Sequence, residues 1–276
     1  MARIGVAATA PLGADVLERL ADKHDVAFLI TRPDRPRGRG RRVGAPPAKE
    51  TAERLGIEVR QPERLDESVE LGDVDAVVVA AYGALIPESL LERALWLNVH
   101  PSLLPRWRGA APVERAIMAG DSETGVTIHR TTPELDAGPI AAQRAFPIGP
   151  DDDAGTVYEQ AGALATTLLD DVLTDVPDFR DQPSNGVTYA ERLVAEDREL
   201  DWERPPEELL NRIRALSPHI GARGRVGGRR LTIWRARPAG EGAALVAGGL
   251  ELVEVQPEGR RRMTGEEYLR GVRDRD

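Results

Sequence analysis

The 276-residue chain contains no cysteine, only four histidines, and few aromatic residues, which make up 4% of its composition. The absence of cysteine excludes disulfides, thiolate nucleophiles and cysteine-ligated zinc or iron–sulfur centres. No apolar run approaches the roughly 20 residues that a membrane-spanning helix needs, and the first residues lack the pattern of a secretory signal. We therefore expect a cytoplasmic protein with no membrane partner.

Charge is distributed unevenly along the chain, whose formal net charge is −9. Six arginines and one acidic residue lie between residues 32 and 42, and the region from Arg204 onward is also basic. A net acidic chain is not typical of a general nucleic-acid binder, because like charges repel the phosphate backbone. Any contact with a polyanion is therefore expected at these two basic regions.

Apolar runs alternate with helical patterns through the first two thirds of the chain. Strands are predicted at 3–8, 26–31, 75–81, 95–99, 125–131 and 139–146, and helices at 14–23, 48–55, 87–94, 113–119 and 153–175. Strands that are apolar on both faces and alternate with helices are typical of a covered parallel sheet. We predict an α/β fold with a doubly wound, mostly parallel sheet, which binds ligands beyond the carboxyl ends of its strands.

A change in composition marks the end of this pattern. Residues 177–204 are rich in turn-forming residues and show little periodicity, as expected for a surface linker. Beyond them, a helix is predicted at 207–216, and short strands separated by glycine turns at 225–257. We therefore predict an α/β domain at 1–177, a linker at 178–204 and a smaller β-rich domain at 205–276.

His100 has the most informative position of the four histidines. It follows Asn98 by two residues at the end of a predicted strand, so both side chains point to one face, at the edge where an open sheet binds ligands. A buried amide in a strand is costly unless its donors are used, which favours a functional site. A structural role is the alternative for His100 and for His129, and Asp136 by itself is typical of a turn before Gly138.

The segments around these residues resemble a known signature. Residues 98–109, 125–129 and 135–140 read N-V-H-P-S-L-L-P-R-W-R-G, G-V-T-I-H and L-D-A-G-P-I. Together they are similar to the signature segments of the folate-dependent formyltransferases, which pass the formyl group of 10-formyltetrahydrofolate to an amine. The resemblance implies a Rossmann-like formyltransferase core, which makes 1–177 the catalytic domain, and an OB-like domain at 205–276.

The resemblance also implies the roles of individual residues. Asn98 and a protonated His100 would stabilise negative charge on the formyl oxygen, and Asp136 would orient His100 and receive the proton of the amine. The folate pocket would be lined by Tyr82, Gly83, Ala84, Leu85 and Ile86, and by Ser102, Leu103, Leu104 and Pro105. No metal is implied. The neighbouring Arg106 and Arg108 are either solvated charges or contacts for a polyanionic substrate.

Accessory features distinguish the possible acceptors of the formyl group. Residues 31–42 resemble the basic loop with which family members that act on initiator methionyl-tRNA reach its acceptor end. The arginines are Arg32, Arg35, Arg37, Arg39, Arg41 and Arg42. Arginines neutralise phosphates, and Gly38 and Gly40 allow the loop to fold on binding. A solvated basic loop is the alternative.

We therefore expect formyl transfer from 10-formyltetrahydrofolate to the α-amine of initiator methionyl-tRNA, by a monomer. A sugar-nucleotide N-formyltransferase is the alternative enzyme, and an RNA-binding protein on a weakened formyltransferase fold is the alternative outside enzymes. The chain departs from the family pattern at residues 8–13, A-T-A-P-L-G in place of a Gly-Thr-Pro turn, and in a shortened barrel between Pro238 and Leu250. The shortened barrel predicts weaker tRNA binding by that domain, or greater dependence on the basic loop.

Overall fold

The structure is a computed structural model that describes residues 1–37 and 42–273. Its strands are β1 (Arg3–Ala8), β2 (Asp25–Ile30), β3 (Arg35–Arg37), β4 (Arg42–Gly44), β5 (Glu58–Arg60), β6 (Ala76–Ala80), β7 (Trp96–His100), β8 (Arg108–Gly109), β9 (Glu123–Arg130), β10 (Ile140–Pro147), β11 (Tyr189–Ala190), β12 (Ala222–Val226), β13 (Arg229–Pro238), β14 (Val246–Ala247), β15 (Leu250–Pro257) and β16 (Met263–Thr264). Its helices are α1 (Pro11–Ala21), α2 (Pro47–Leu55), α3 (Glu88–Leu91), α4 (Pro112–Met118), α5 (Ala154–Thr174), α6 (Pro206–Leu216) and α7 (Gly265–Arg273).

The described chain divides into two compact units. The first comprises residues 1–110, 125–146 and 158–190, and the second comprises 111–124, 147–157 and 191–276. The first unit holds the large sheet, and the second holds a smaller antiparallel sheet with α4, α6 and α7.

Seven of the described strands form the large sheet, in the order β10-β9-β7-β6-β1-β2-β5. The pairs from β5 to β7 are parallel, and β9 pairs antiparallel with β7. The strand order runs outward in both directions from β1 and β6, which is the point where an open sheet binds its ligand. The predicted doubly wound, mostly parallel α/β fold is therefore confirmed.

The centre of the large sheet is covered on both faces. Every residue of β6 is buried, as its unbroken apolar sequence predicts. Gly13 in α1 allows this helix to approach closely, since a Cβ atom there would lie 2.4 Å from the Ala80 carbonyl oxygen. The helix therefore packs directly on the ends of β1 and β6, next to the predicted ligand edge.

Four described helices begin with a proline in the first turn: α1, α2, α4 and α6. Proline suits this position because its fixed φ angle is helical and its missing N–H has no partner in the helix there. The prolines explain why α1 begins at Pro11 when apolar periodicity predicts residue 14. By contrast, α3 has four residues where eight were predicted.

The second unit contains a five-stranded antiparallel sheet among its described residues. Its order is β12-β13-β15-β14, with β16 also paired to β15. Leu209 and Ile213 of α6 pack in one apolar cluster with Ile233 and Leu252 of the sheet. The prediction of a smaller β-rich C-terminal part is confirmed.

The basic segment, which is expected to be a loop, contains two short paired strands among its described residues. Arg35 pairs with Gly44 and Arg37 with Arg42, so β3 and β4 form a two-stranded ribbon. A strand of three residues that contains proline or glycine is too short to show periodicity in the sequence. Arg39 and Arg41 lie outside the described residues.

Over the ranges 1–37 and 42–273, no helix has the length and apolarity needed to cross a membrane.

Candidate active site

Asn98 and His100 lie on β7 at the carboxyl edge of the large sheet. Asp136, in the loop between β9 and β10, reaches both of them. Asn98 Nδ2 donates a hydrogen bond to Asp136 Oδ1 over 3.1 Å, and His100 Nδ1 lies 3.6 Å from Asp136 Oδ2. The three side chains that the resemblance assigns to catalysis therefore form one cluster.

The backbone around Asp136 is held in an unusual conformation. Its φ angle is +45°, in the left-handed region that L-residues seldom adopt. The Gly109 N–H donates to Asp136 Oδ2 over 2.9 Å, which fixes the carboxylate from the opposite loop. Gly138 must be glycine, because a Cβ atom there would lie 1.8 Å from the Arg130 carbonyl oxygen. The close packing of this loop explains how a turn residue becomes part of a site.

Both ring nitrogens of His100 face oxygen acceptors. Nε2 donates to the Trp107 carbonyl oxygen over 2.7 Å, and Nδ1 faces the Asp136 carboxylate. The side chain is 5% exposed, so water contributes little to this arrangement. One ring nitrogen is thus bonded to a backbone carbonyl oxygen, and the other is directed at a carboxylate.

His129 also belongs to the cluster, which sequence reasoning left open. It lies opposite Asn98 in the pairing of β7 with β9. Its Nδ1 donates to the Arg130 carbonyl oxygen over 2.9 Å, and its Nε2 accepts from Asn98 Nδ2 over 3.1 Å. Burial, together with the charge of His100, lowers the pKa of His129 to about 4. His129 is therefore a neutral hydrogen-bond acceptor at neutral pH.

The amide of Asn98 has both N–H groups engaged, one with Asp136 and one with His129. This arrangement satisfies the donors whose burial would otherwise be costly. To donate to a substrate oxygen, the amide must give up one of these partners. The periodicity of β7 predicts the direction of Asn98, but the position of His129 depends on the antiparallel partner strand, which a single sequence does not reveal.

The segment after His100 is held by side chains beneath it. The Ser102 hydroxyl donates to the Arg106 carbonyl oxygen over 2.6 Å, and the Thr127 hydroxyl donates to the Ser102 carbonyl oxygen over 2.7 Å. Ser102 and Leu104 are buried, whereas Leu103 and Pro105 are partly exposed. Ser102 therefore supports the shape of this predicted pocket wall through internal hydrogen bonds.

The other predicted pocket segment follows β6. Gly83, Ala84 and Leu85 are exposed, whereas Tyr82 and Ile86 lie in an apolar cluster of the first unit. Burial raises the pKa of the Tyr82 hydroxyl. Because Ala80 of β6 pairs with Val99 of β7, this segment leaves the sheet beside His100. An exposed backbone flanked by apolar residues suits a flat heterocycle such as the folate ring system.

One residue connects the pocket segment to the basic loop. Arg32 Nη1 donates to the Gly83 carbonyl oxygen over 3.1 Å. Gln61 Nε2 in turn donates to the Arg32 carbonyl oxygen over 2.8 Å. Arg32 is thus fixed by the protein itself, unlike a solvated loop charge, and it borders both predicted binding regions.

Left-handed backbone marks all three loops of the site. Among the described residues, three non-glycine residues have positive φ angles: Ala81 (+47°), Trp107 (+63°) and Asp136 (+45°). Such conformations cost free energy and are concentrated at functional sites, where the surrounding structure enforces them.

Among the residues that the structure describes, no group of three or more side chains has the arrangement of a metal site.

Comparisons with known proteins agree with the geometry. The family profile described as formyl transferase matches residues 3–173, and that of the formyl transferase C-terminal domain matches residues 192–248. A methionyl-tRNA formyltransferase of Paracoccus denitrificans is 39% identical over 284 residues, which cover 96% of this chain and 95% of the relative. One of Halorhodospira halophila is 40% identical and covers 89% of this chain and 88% of the relative.

Solved structures share the fold at low sequence identity. HypX from Aquifex aeolicus, in complex with tetrahydrofolic acid, has a TM-score of 0.67 and 18% identity; the match covers 98% of this chain and 47% of HypX, so the chain spans about half of that protein. Family profiles, curated relatives and the fold all agree. The chain belongs to the formyl transferase family and, at this identity over almost its whole length, to its methionyl-tRNA formyltransferase members.

Proposed function

We propose that this chain transfers the formyl group of 10-formyltetrahydrofolate to the α-amine of methionine on initiator tRNA, with Asn98, His100 and Asp136 as catalytic residues. The observation that carries the proposal is the cluster of these three side chains at the ligand edge of the sheet. Membership among the methionyl-tRNA formyltransferases supports the acceptor. When bound, 10-formyltetrahydrofolate supplies the formyl group, and it leaves as tetrahydrofolate when the bond between its N10 and the formyl carbon breaks and N10 takes up a proton.

Asn98 and His100 stabilise the negative charge that develops on an oxygen when an amine attacks a formyl carbon. The amide of Asn98 offers an N–H donor, and the imidazolium of His100 brings a buried positive charge to the same edge. Donors act strongly in a site with little water, and when the Asn98 amide exchanges one partner for the substrate oxygen, the other partner still orients it. We expect these two residues to supply most of the rate enhancement.

Asp136 receives the proton that the attacking amine must lose, directly or through a water molecule. Its carboxylate is 12% exposed and already accepts hydrogen bonds from Asn98 and the Gly109 N–H. These donors keep the carboxylate aimed into the cluster. The same carboxylate orients His100, so one residue serves both the base and the electrostatic function.

Folate binding is proposed at the two segments beside His100. The first provides exposed backbone at Gly83 and Ala84 and an exposed apolar side chain at Leu85, which is 83% exposed. The second is the 102–105 segment, which is held by the Thr127 hydroxyl, as donor to the Ser102 carbonyl oxygen and as acceptor from the Leu104 N–H. An apolar wall with exposed backbone polar groups is the usual composition of a small-molecule site.

tRNA binding is proposed at the basic residues of each unit. The loop contributes Arg32, Arg35, Arg37, Arg39, Arg41 and Arg42. In the second unit, a cavity of about 540 Å³ is lined in part by Arg229, Arg230, Arg260 and Arg261. Arg230 pairs with Glu199 and Arg261 with Glu267, which leaves Arg229 and Arg260 without an ion pair in the described structure. Such cations are suited to neutralise phosphates.

The acceptor is tested by supplying purified protein with 10-formyltetrahydrofolate and three candidate acceptors. These are methionyl initiator tRNA, the same tRNA without methionine, and an amino-sugar nucleotide. We expect formylation of the charged tRNA alone. Formylation of the sugar nucleotide would instead identify the alternative enzyme, and folate binding without any transfer would identify a binding protein.

A further inference from the structure

Gln182 makes four hydrogen bonds beside the catalytic cluster, although it lies in the segment that the sequence predicts as a linker. Its Oε1 accepts from Arg108 Nε and Nη2 over 3.1 and 2.7 Å. Its Nε2 donates to the carbonyl oxygens of Asp136 and Gly138, each over 2.8 Å. Arginine offers only donors and a carbonyl only acceptors, so the orientation of the amide is fixed.

Arg108 has an unusual environment for a charged side chain. It is 10% exposed, and the carboxylate of Glu134, with which it forms an ion pair, is 4.0 Å away and 78% exposed. The main partner of the guanidinium is therefore the neutral amide of Gln182. A charged donor polarises an amide and strengthens the bonds that the amide donates in turn. Arg108 thus acts on the Asp136 loop through Gln182.

The backbone on both sides of Gln182 is anchored by hydrogen bonds within the first unit. Arg180 and Ile140 exchange two backbone hydrogen bonds, of 2.7 and 2.9 Å. Farther along, the Thr188 hydroxyl accepts from the Trp107 N–H over 2.9 Å, and β11 pairs with β8. Gln182 is therefore held between the loop that carries Arg108 and the loop that carries Asp136.

We propose that Gln182 is a positioning residue for formyl transfer, because it ties the left-handed Asp136 loop to the buried Arg108. The inference rests on the catalytic role proposed for Asp136. Asp136 has a φ angle of +45°, and its carbonyl oxygen accepts a hydrogen bond from Gln182 Nε2. Without the two bonds donated by Gln182, the loop is free to relax and its carboxylate leaves Asn98 and the Gly109 N–H.

Two substitutions distinguish the bonds that Gln182 accepts through Oε1 from those that it donates through Nε2. Gln182→Met preserves the approximate volume and removes all four hydrogen bonds. Gln182→Glu keeps the acceptor for Arg108 but sets carboxylate oxygen against the carbonyl oxygens of Asp136 and Gly138. We expect both variants to lower kcat at least tenfold, with KM values for folate and tRNA changed less than threefold. A wild-type kcat in Gln182→Glu would overturn the proposal.

Coupling to Asp136 is tested by a double-mutant cycle. If Gln182 acts through Asp136, Gln182→Met should have almost no further effect on the residual rate of Asp136→Asn. Equal fold-losses in the two backgrounds would contradict the proposal. Asn185→Ala, which removes an exposed amide from the same segment, is the matched control and should retain wild-type kcat.

Hydrogen exchange gives a readout that does not depend on activity. The Gly109 N–H donates to the Asp136 carboxylate, so its exchange should become at least tenfold faster in Gln182→Met and stay unchanged in Asn185→Ala. Unchanged exchange in Gln182→Met would overturn the positioning role. If the wild type formylates no methionyl-tRNA, the proposed acceptor fails, and the exchange measurement still decides the role of Gln182.

Discussion

The end of β7 and the facing part of β9 each present a histidine to Asp136, in opposite electrostatic settings. His100 faces two oxygen acceptors, the Trp107 carbonyl and the Asp136 carboxylate. His129 hydrogen-bonds to one acceptor and one donor, the Arg130 carbonyl and the Asn98 amide, and its Nε2 lies 3.7 Å from Asp136 Oδ1. The second arrangement suits a neutral imidazole, whose unprotonated nitrogen accepts the Asn98 N–H.

The difference shows that position near a carboxylate does not by itself decide what a histidine does. Both rings lie within 4 Å of Asp136, yet burial and the neighbouring His100 lower the pKa of His129 to about 4. In each ring one nitrogen donates to a backbone carbonyl oxygen, and the partner of the other nitrogen distinguishes the two histidines. We infer that His100 supplies charge to the reaction, whereas His129 orients Asn98.

The largest effect is expected at the end of β7. His100→Ala and Asn98→Ala should each lower kcat at least 100-fold, because each removes a group that stabilises negative charge on the reacting oxygen. The measurement is the single-turnover rate of formyl transfer, with circular dichroism to confirm folding. His219→Ala, at an exposed histidine of the second unit, is the control. If either variant transfers the formyl group at a rate near that of the wild type, the side chain replaced in it does not stabilise the reacting oxygen.

A smaller effect is expected at His129. His129→Leu should lower kcat about tenfold, because the Asn98 amide loses an acceptor worth about 1 kcal/mol and is less well oriented. His129→Gln retains an acceptor near the position of Nε2 and should recover most of the rate. A variant with leucine that is as slow as His100→Ala would place His129 in direct contact with the substrate.

The basic loop should affect binding without affecting chemistry. Replacing Arg37, Arg39, Arg41 and Arg42 with glutamine should raise KM for tRNA about tenfold and flatten its salt dependence, while kcat at saturating tRNA stays unchanged. Arg32 is left intact because it holds the Gly83 carbonyl oxygen. Isothermal titration with a folate serves as the control. Loss of folate binding would show that the loop supports the pocket instead.

The smallest effect is expected in the acid dependence of stability. The pKa of His129 is lowered to about 4 in the folded protein, from an ordinary value of 6.5. The unfolded chain therefore binds this proton more readily, so the free energy of unfolding falls as the pH falls from about 6.5 toward 4. Urea titrations at several pH values should show a weaker decline in His129→Gln. Identical declines would mean that His129 protonates in the folded state as easily as in the unfolded chain.

The sequence predicts those features of the site that depend on local periodicity. Asn98 and His100 share a face because strand residues alternate, and the alternation of strands with helices predicts the edge where they meet a ligand. Asp136 by itself is indistinguishable from a turn residue, and only the family resemblance assigns it a role. His129 and Gln182 depend on which distant segments pair, since β9 lies against β7 and the 180–190 segment closes over β8.

The most direct test of this account compares three proteins in one single-turnover experiment: the wild type, His100→Ala and His129→Leu. Each is mixed with 10-formyltetrahydrofolate and methionyl initiator tRNA, and formylmethionyl-tRNA is followed over time. We expect the wild type to be fastest, His129→Leu about tenfold slower and His100→Ala at least 100-fold slower. An inverted order of the two variants, with His129→Leu the slower, would contradict this expectation.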